Sequence, residues 1–256
     1  MNKGNAKGTP GLLLSAAILL AATTPDLSAQ PAATPPPPPP PPPLWQGNAA
    51  LGLTLTSGNS HTLLFTGKID AARKWDKNEL ELGADAAYGE QSGVKNNDSY
   101  RAFAQYNRLF TDRVFGYVRL EGMHDGIADI AYHISFGPGA GYYFIKQERT
   151  MLRAELGPGV VFEKKGGEQS TFATLRVAER FEQKLSKTAN LWQSVEFLPQ
   201  VDRWGNFTVI GEIGLAAAIS TKWSLKPYVQ DSYVNEPAKG RLHNDLRLVV
   251  ALGYKF

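Results

Sequence analysis

The chain has 256 residues, enough for one large domain or two small ones, and a formal net charge of +3 from 27 basic and 24 acidic residues. The charges are spread along the chain, which gives no mark of a nucleic-acid binder, and the lack of cysteine excludes disulfides, a lipid-modified N-terminal Cys, thiolate metal sites and Cys catalysis. From residue 44 on, no apolar run approaches the roughly 20 residues of a transmembrane helix. A membrane-crossing chain of this composition would have to cross with alternating strands, which average to a modest hydrophobicity.

Residues 1–29 read as a secretory signal peptide. Lys3 and Lys7 supply the positive start, Gly11 to Ala22 the short apolar core, and Leu27-Ser28-Ala29 a small residue before the expected cut near Ala29. Residues 30–45 form a proline-rich tether with nine consecutive prolines, Pro35 to Pro43. Proline fixes φ and cannot donate a hydrogen bond, so this run is expected as a polyproline II rod rising roughly 3.1 Å per residue. It serves as a stiff periplasmic spacer or as a periplasmic docking contact.

From residue 46 to 256 the dominant period is two, the mark of strands with two unlike faces. Twelve strands are predicted, at about 46–56, 61–73, 79–89, 98–110, 114–124, 130–145, 150–163, 170–185, 190–201, 207–219, 223–233 and 242–256. In the third, Leu80, Leu82, Ala84 and Tyr88 oppose Glu79, Glu81 and Asp85. In the sixth, Ile130, Tyr132, Ile134, Phe136, Ala140, Tyr142 and Phe144 oppose His133, Ser135 and three glycines. An even number of long alternating strands predicts an all-β fold, a transmembrane antiparallel up-and-down barrel with both ends on one side. The glycine pairs in Gly137-Pro138-Gly139 and Gly157-Pro158-Gly159 fall inside strands, where bulges or close packing explain them better than a phosphate loop does.

With a periplasmic N-terminus, the periplasmic turns are Lys74–Asn78, Thr111–Arg113, Lys146–Arg149, Ser186–Ala189 and Ser220–Lys222. The outer loops, expected to be longer, are Glu90–Asn97, Asp125–Asp129, Lys164–Gln169 and Asn235–Arg241, with Ser57–Ser60 a tight exception. Trp45, Trp75, Trp192, Trp223, Tyr254 and Phe256 fall near the periplasmic strand ends, where an aromatic girdle in contact with lipid is expected. Leu252, Tyr254 and Phe256 share one face of the last strand, and a terminal Phe closing such a strand is similar to the signal that outer-membrane assembly machinery recognises.

The polar faces place Arg101, Arg119, Glu121, Arg153, Glu155, Arg176, Arg180, Glu212 and Arg247 in the lumen, with Lys68, Lys226, Glu81, Asp85, Glu182 and Glu196 among others. The two signs nearly balance. Such a set either fills and rigidifies the barrel with charge-assisted pairs or lines a narrow polar channel; the single-sign ring of a strongly selective pore is absent from the pattern. Arg119 and Glu121 stand two residues apart on the fifth strand and share a face, and Arg101 is a candidate partner for Glu121. Neither a metal nor a cofactor is expected.

The competing class is a hydrolase acting on lipid or lipopolysaccharide, which needs a Ser or Thr nucleophile within reach of a base. His61, His124, His133 and His243 all fall near the outer strand ends, beside Asp125, Asp129, Asp231, Ser60 and Ser232, yet no nucleophile motif accompanies them. Such histidines are more often simply solvated, so the main expectation is a non-enzymatic barrel.

Several stretches resemble the YdiY-like family of salt-induced outer-membrane proteins, domain of unknown function 481. They are Ser57-Gly58-Asn59-Ser60, the run Phe115 to Gly122, Gly137-Pro138-Gly139-Ala140-Gly141-Tyr142-Tyr143, and Glu148-Arg149 followed by Glu155-Leu156-Gly157-Pro158-Gly159. The resemblance covers residues 46–256 and leaves out the tether. It implies an outer-membrane location and a link to osmotic stress, and it supplies no catalytic or ligand residues.

Overall fold

A computed structural model describes residues 45–56 and 62–256. The expected signal peptide, most of the tether, the Ser57–Ser60 hairpin and His61 lie outside the described residues. Twelve strands follow one another: β1 (Gln46–Thr56), β2 (Thr62–Trp75), β3 (Asn78–Gln91), β4 (Val94–Leu109), β5 (Val114–Asp125), β6 (Ile130–Lys146), β7 (Thr150–Lys165), β8 (Glu168–Lys184), β9 (Ala189–Gln200), β10 (Arg203–Ala218), β11 (Trp223–Val234) and β12 (Asn244–Lys255). Each pairs antiparallel with the next, and β12 pairs with β1, so the sheet is a closed up-and-down barrel with both ends of β1–β12 at one rim.

The wall inverts the distribution of a soluble protein. Large apolar side chains such as Leu51, Phe65, Leu120, Phe136, Phe144, Ile213, Leu248 and Val250 are exposed on the outside. Polar and charged ones, among them Gln105, Asn107, Arg119, Glu121, Arg153 and Glu155, are buried inside. The period-two pattern exists because the two faces meet different media: hydrocarbon outside would penalise an Arg by about 2–4 kcal/mol near the midplane. Closure meanwhile pairs backbone groups that lipid cannot satisfy.

Glycine and aromatic residues alternate across the inner face. Phe103 lies over Gly83, Phe115 over Gly141, Tyr117 over Gly139 and Trp192 over Gly214, and in each case the two are direct cross-strand partners. A flat ring covers the bare backbone of its neighbour, which would otherwise face the interior unpacked. The Gly-Pro-Gly segments of β6 and β7 face each other, and a Cβ at Gly157 would lie 2.7 Å from Gly139 Cα. Close backbone approach, not a ligand loop, therefore sets these glycines.

Three sequence expectations are corrected. The outer loops expected at Glu90–Asn97 and Lys164–Gln169 shrink to the two-residue turns Ser92-Gly93 and Gly166-Gly167, with φ of 52° and 78°, and 60° and 83°. These positive φ values belong to hairpin turns that continue the strand twist, so the strands run further than the polar residues flanking them suggested. Ile130, placed on the lipid face by alternation, is buried at 5% exposure, because a register shift between Ile130 and Tyr132 pairs it with Lys165. Trp192, assigned to the girdle, points inward and donates its Nε1–H to Glu212 at 2.7 Å.

Candidate functional site: a charge lattice in the lumen

The inward charged residues meet in connected ion pairs that cross the barrel. Arg101 on β4 donates to both Glu121 oxygens (2.7 and 3.0 Å) and reaches Glu196 on β9, nearly opposite, at 2.6 Å. Arg176 on β8 bridges Glu155 and Glu196 at 2.6 and 2.7 Å. Arg119 donates to Glu121 at 2.6 Å and to Gln105 at 3.1 Å, with its guanidinium 4.0 Å above the Phe103 ring. Three arginines and three glutamates thus form one neutral cluster from five strands, with Glu196 touched by Arg101 and Arg176 and 3.8 Å from Arg119. Arg119 and Glu121 are 9% and 6% exposed, so the cluster is dry enough for charge-assisted bonds to be strong.

Two more crossings lie nearer the termini rim. Arg153 on β7 grips Glu81 on β3 with paired bonds of 2.6 and 2.8 Å. Lys68 on β2 reaches both oxygens of Glu212 on β10 at 2.7 Å, the same carboxylate that Trp192 orients. Amide and phenol side chains fill between the pairs: Asn107 donates to Glu81 and Glu79, Tyr143 to Glu79, and Gln105 to Glu155. Near the other rim, Arg247 on β12 donates to Ser99 on β4 at 3.0 Å and to Asp245 at 2.7 Å.

Arg180 differs from the other expected lumen residues. It pairs at 2.8 Å with Glu182 on its own strand, both side chains nearly half exposed. The sequence reading missed the neutral members of the lattice, Gln105 and Asn107, although both are almost wholly buried. Their positions on the same alternating face as Arg101 were the signal that could have found them. Above the central cluster a pocket of about 50 Å³ touches Tyr117, Arg119, Ser135, Thr174 and Arg176. At roughly 10–15 Å³ of such space per water, that is room for a few waters and little else.

The three described histidines do not assemble with a nucleophile among the described residues. His124 stacks outside on Tyr100 and its Nδ1 is bonded to the Ala131 carbonyl oxygen; His133 contacts Glu163 inside at 2.8 Å; His243 stacks on Tyr233 and meets the Val234 carbonyl oxygen. Among the described residues no cluster of three or more metal-ligating side chains occurs. At the C-terminal end, Phe256 exchanges two backbone bonds of 3.1 Å with Gly47 and lays its ring over that glycine. Leu252 is exposed on the outside, and Tyr254 meets Trp223 edge-on at a centroid distance of 5.0 Å.

Among solved structures the chain is similar to an outer-membrane channel from Pseudomonas putida F1, with 10% identity, a TM-score of 0.49, and 83% of this chain and 95% of that one covered. It is also similar to the KdgM porin in complex with disordered oligogalacturonate (10% identity, TM-score 0.46, 82% and 99% covered). The NanC porin is a third such structure (6% identity, TM-score 0.45, 82% and 97% covered). Among curated proteins none matches the chain in sequence. The family described as "Protein of unknown function, DUF481" matches residues 49–256, the whole barrel but for its first few residues, and the chain belongs to that family.

Proposed function

We propose that the protein is a non-enzymatic outer-membrane barrel that supports the envelope with a lumen held shut by its own charge lattice. The observation that carries this reading is the set of ion pairs joining non-neighbouring strands, Arg101–Glu196, Arg153–Glu81 and Lys68–Glu212. Each spans the space a solute would need, and breaking one exposes a charge without its partner at a cost of about 3–5 kcal/mol in a dry site. A wall laced in this way resists deformation, which suits a protein that serves the membrane under osmotic load. In this reading residues 1–29 direct export, the proline tether and both chain ends are periplasmic, and the aromatic residues at that rim anchor in lipid. Leu252, Tyr254 and Phe256 present the last strand to the assembly machinery.

Planar-bilayer recording tests it. The wild-type barrel is expected to give no stable conductance, and a variant combining Arg101→Ala, Arg153→Ala and Lys68→Ala is expected to give a steady one. Conductance in the wild type equal to that of the triple variant would mean an open polar channel instead.

A further inference from the structure

The rim opposite the chain ends is uneven. β8 pairs with β7 as far as Lys165–Glu168, but with β9 only from Thr174–Gln200, apart from one backbone bond of 2.9 Å from the Val201 N–H to the Ala173 oxygen. The tip of the β7–β8 hairpin therefore stands about five residues, or roughly 17 Å along the strand, beyond the β9–β10 turn. The notch this leaves lies beside the small pocket above the central cluster, which is lined there by Phe172 and Thr174 of β8, Leu198 of β9, and Asn206 and Thr208 of β10.

One connection crosses the notch. Residues 235–243, between Val234 of β11 and Asn244 of β12, form the longest link between strands at that rim. Their base is closed twice: the Val234 N–H donates to the His243 oxygen at 2.8 Å, and the His243 Nδ1 meets the Val234 oxygen at 2.9 Å. Asn235 then donates its N–H to the Phe207 oxygen at 2.9 Å and its side-chain amide to the Gly205 oxygen at 2.7 Å. Glu236 pairs with Arg203 through its carboxylate, and its backbone oxygen accepts from Lys165 Nζ at 3.0 Å. Ala238 is buried against the far hairpin, where a Cβ on Gly166 would lie 3.4 Å from its own. The loop thus passes from β11 over β10 and β9 to the β7–β8 tip. Lys165 and Phe207, on which it rests, both line the pocket, and Lys165 stands 3.4 Å from Glu163, the partner of His133.

We propose that residues 235–243 are a latched strap that governs access from this rim to the pocket above the charge lattice, with Glu236 as the latch. The inference rests on the reading of the lattice as a closed floor, since a pocket open from below needs no gate above. The two ends of the strap are held unequally. Its base continues the β11–β12 ladder, which pairs up to Tyr233–Asn244. Its far end is held by contacts of the kind that open locally. The Glu236 and Arg203 side chains are 40% and 60% exposed, so water and salt compete with their pairing. Within the strap only Ala238 is buried, and residues 239–243 are all exposed. Swung away from Gly166, the strap uncovers the notch and releases Lys165. The space behind is polar, with Ser135 and Thr208 on its walls and Arg119 and Arg176 among its lining. Opening therefore admits water and small polar solutes as far as the lattice and no further.

The chain has no cysteine, so one introduced thiol reports access. Ser135→Cys puts that thiol in the pocket, on β6, and Ser99→Cys puts a control thiol in the lumen beside Arg247, on β4 and away from the strap. The probe is methyl methanethiosulfonate, added to the folded barrel in detergent, with the modification followed by mass. Folding is checked first by heat-modifiable migration on a detergent gel. With the latch intact, Ser135→Cys is expected to react slowly. Glu236→Ala should speed that reaction about two- to five-fold, the range for losing an exposed ion pair. Glu236→Lys sets a cation against Arg203 and Lys165 and should speed it at least about ten-fold. The rate at Ser99→Cys should stay unchanged in both. The inference is overturned if neither latch variant speeds the reaction, or if Ser99→Cys speeds up equally, which would mean a general loosening of the barrel. It is also overturned if Ser135→Cys reacts as fast with the latch as without it. Bilayer recording of the same protein then separates two failures: a steady conductance means that the floor is open and the closed-barrel reading falls too, and none means that the strap alone was misread.

Discussion

The wall from β3 to β9 and the seam between β12 and β1 are built from the same alternating strands, yet they are held in different ways. On the first side, long ladders are doubled by side chains: β7 and β8 share sixteen paired residues, and Arg176 and Arg153 tie that wall to Glu196 on β9 and Glu81 on β3. On the second side the inward positions Ala50, Gly52, Ala251 and Gly253 are small, and the reach across the barrel comes from Arg247 nearer the other rim, which donates to Ser99 on β4. The difference teaches that closing a sheet and bracing it are separate tasks. Backbone pairing closes the barrel even where it is four residues long, and the charged lattice braces only the part it touches.

The comparison breaks if the braced side proves no more sensitive than the seam, and the largest effect should come at Glu196. Glu196→Ala leaves Arg101, Arg119 and Arg176 sharing two carboxylates, so a loss of about 3–5 kcal/mol is expected in urea unfolding from micelles or bilayers. A loss under 1 kcal/mol would mean that water already screens the cluster and the lumen is wet. Next, Trp192→Phe keeps the ring over Gly214 and removes one bond to the Glu212 carboxylate, for about 1.5–3 kcal/mol. A change confined to the girdle, seen as altered lipid partitioning with no loss of stability, would place the indole outside after all.

A third pair of substitutions sharpens the contrast at the backbone. Gly157→Ala pushes a methyl group against the Pro138–Gly139 backbone, which cannot rotate away, at a cost of about 1–3 kcal/mol. Gly52→Ala near the seam meets the Thr66 hydroxyl, which can turn, and lies 3.2 Å from the Val250 carbonyl oxygen, against 2.3 Å from the Pro138 carbonyl oxygen at Gly157, so its midpoint in the same unfolding assay should move less. The smallest effect is expected for Arg180→Ala, whose exposed pair with Glu182 should contribute about 0–1 kcal/mol and lose even that in high salt. A large effect there would show the brace extending to the rim.

The barrel was legible in the sequence because two media on two faces impose a period that needs no tertiary information, and all twelve strands follow from it. The departures are local events that the period cannot carry. Ser92 and Asp129 adopt left-handed φ without glycine, and the shift beside Ile130 turns an apolar residue inward. Trp192 fell at the right strand end for a girdle, but parity along β9, where Glu196 faces inward, already put it on the inner face. Partner choice inside the lattice was less legible. Arg153 and Glu81 are 72 residues apart, and only the curvature of the closed sheet brings them together. The short seam was invisible for the same reason, since nothing in the first or last strand alone says how far the two will run side by side.

That seam also fixes the order in which the chain can gain from folding. Every other ladder joins strands a short hairpin apart, while Leu51 and Leu252 must meet across about two hundred residues. Loop-closure entropy makes this meeting dearer by about 2 kcal/mol than closing a hairpin of about twenty residues, and only four pairs are formed in return. The twelve strands therefore have every reason to zip outward from neighbour to neighbour and little reason to close early. Closure becomes the final step, slow for its high sequence separation, and until it occurs the first and last strands stand as free edges at opposite ends of a growing sheet.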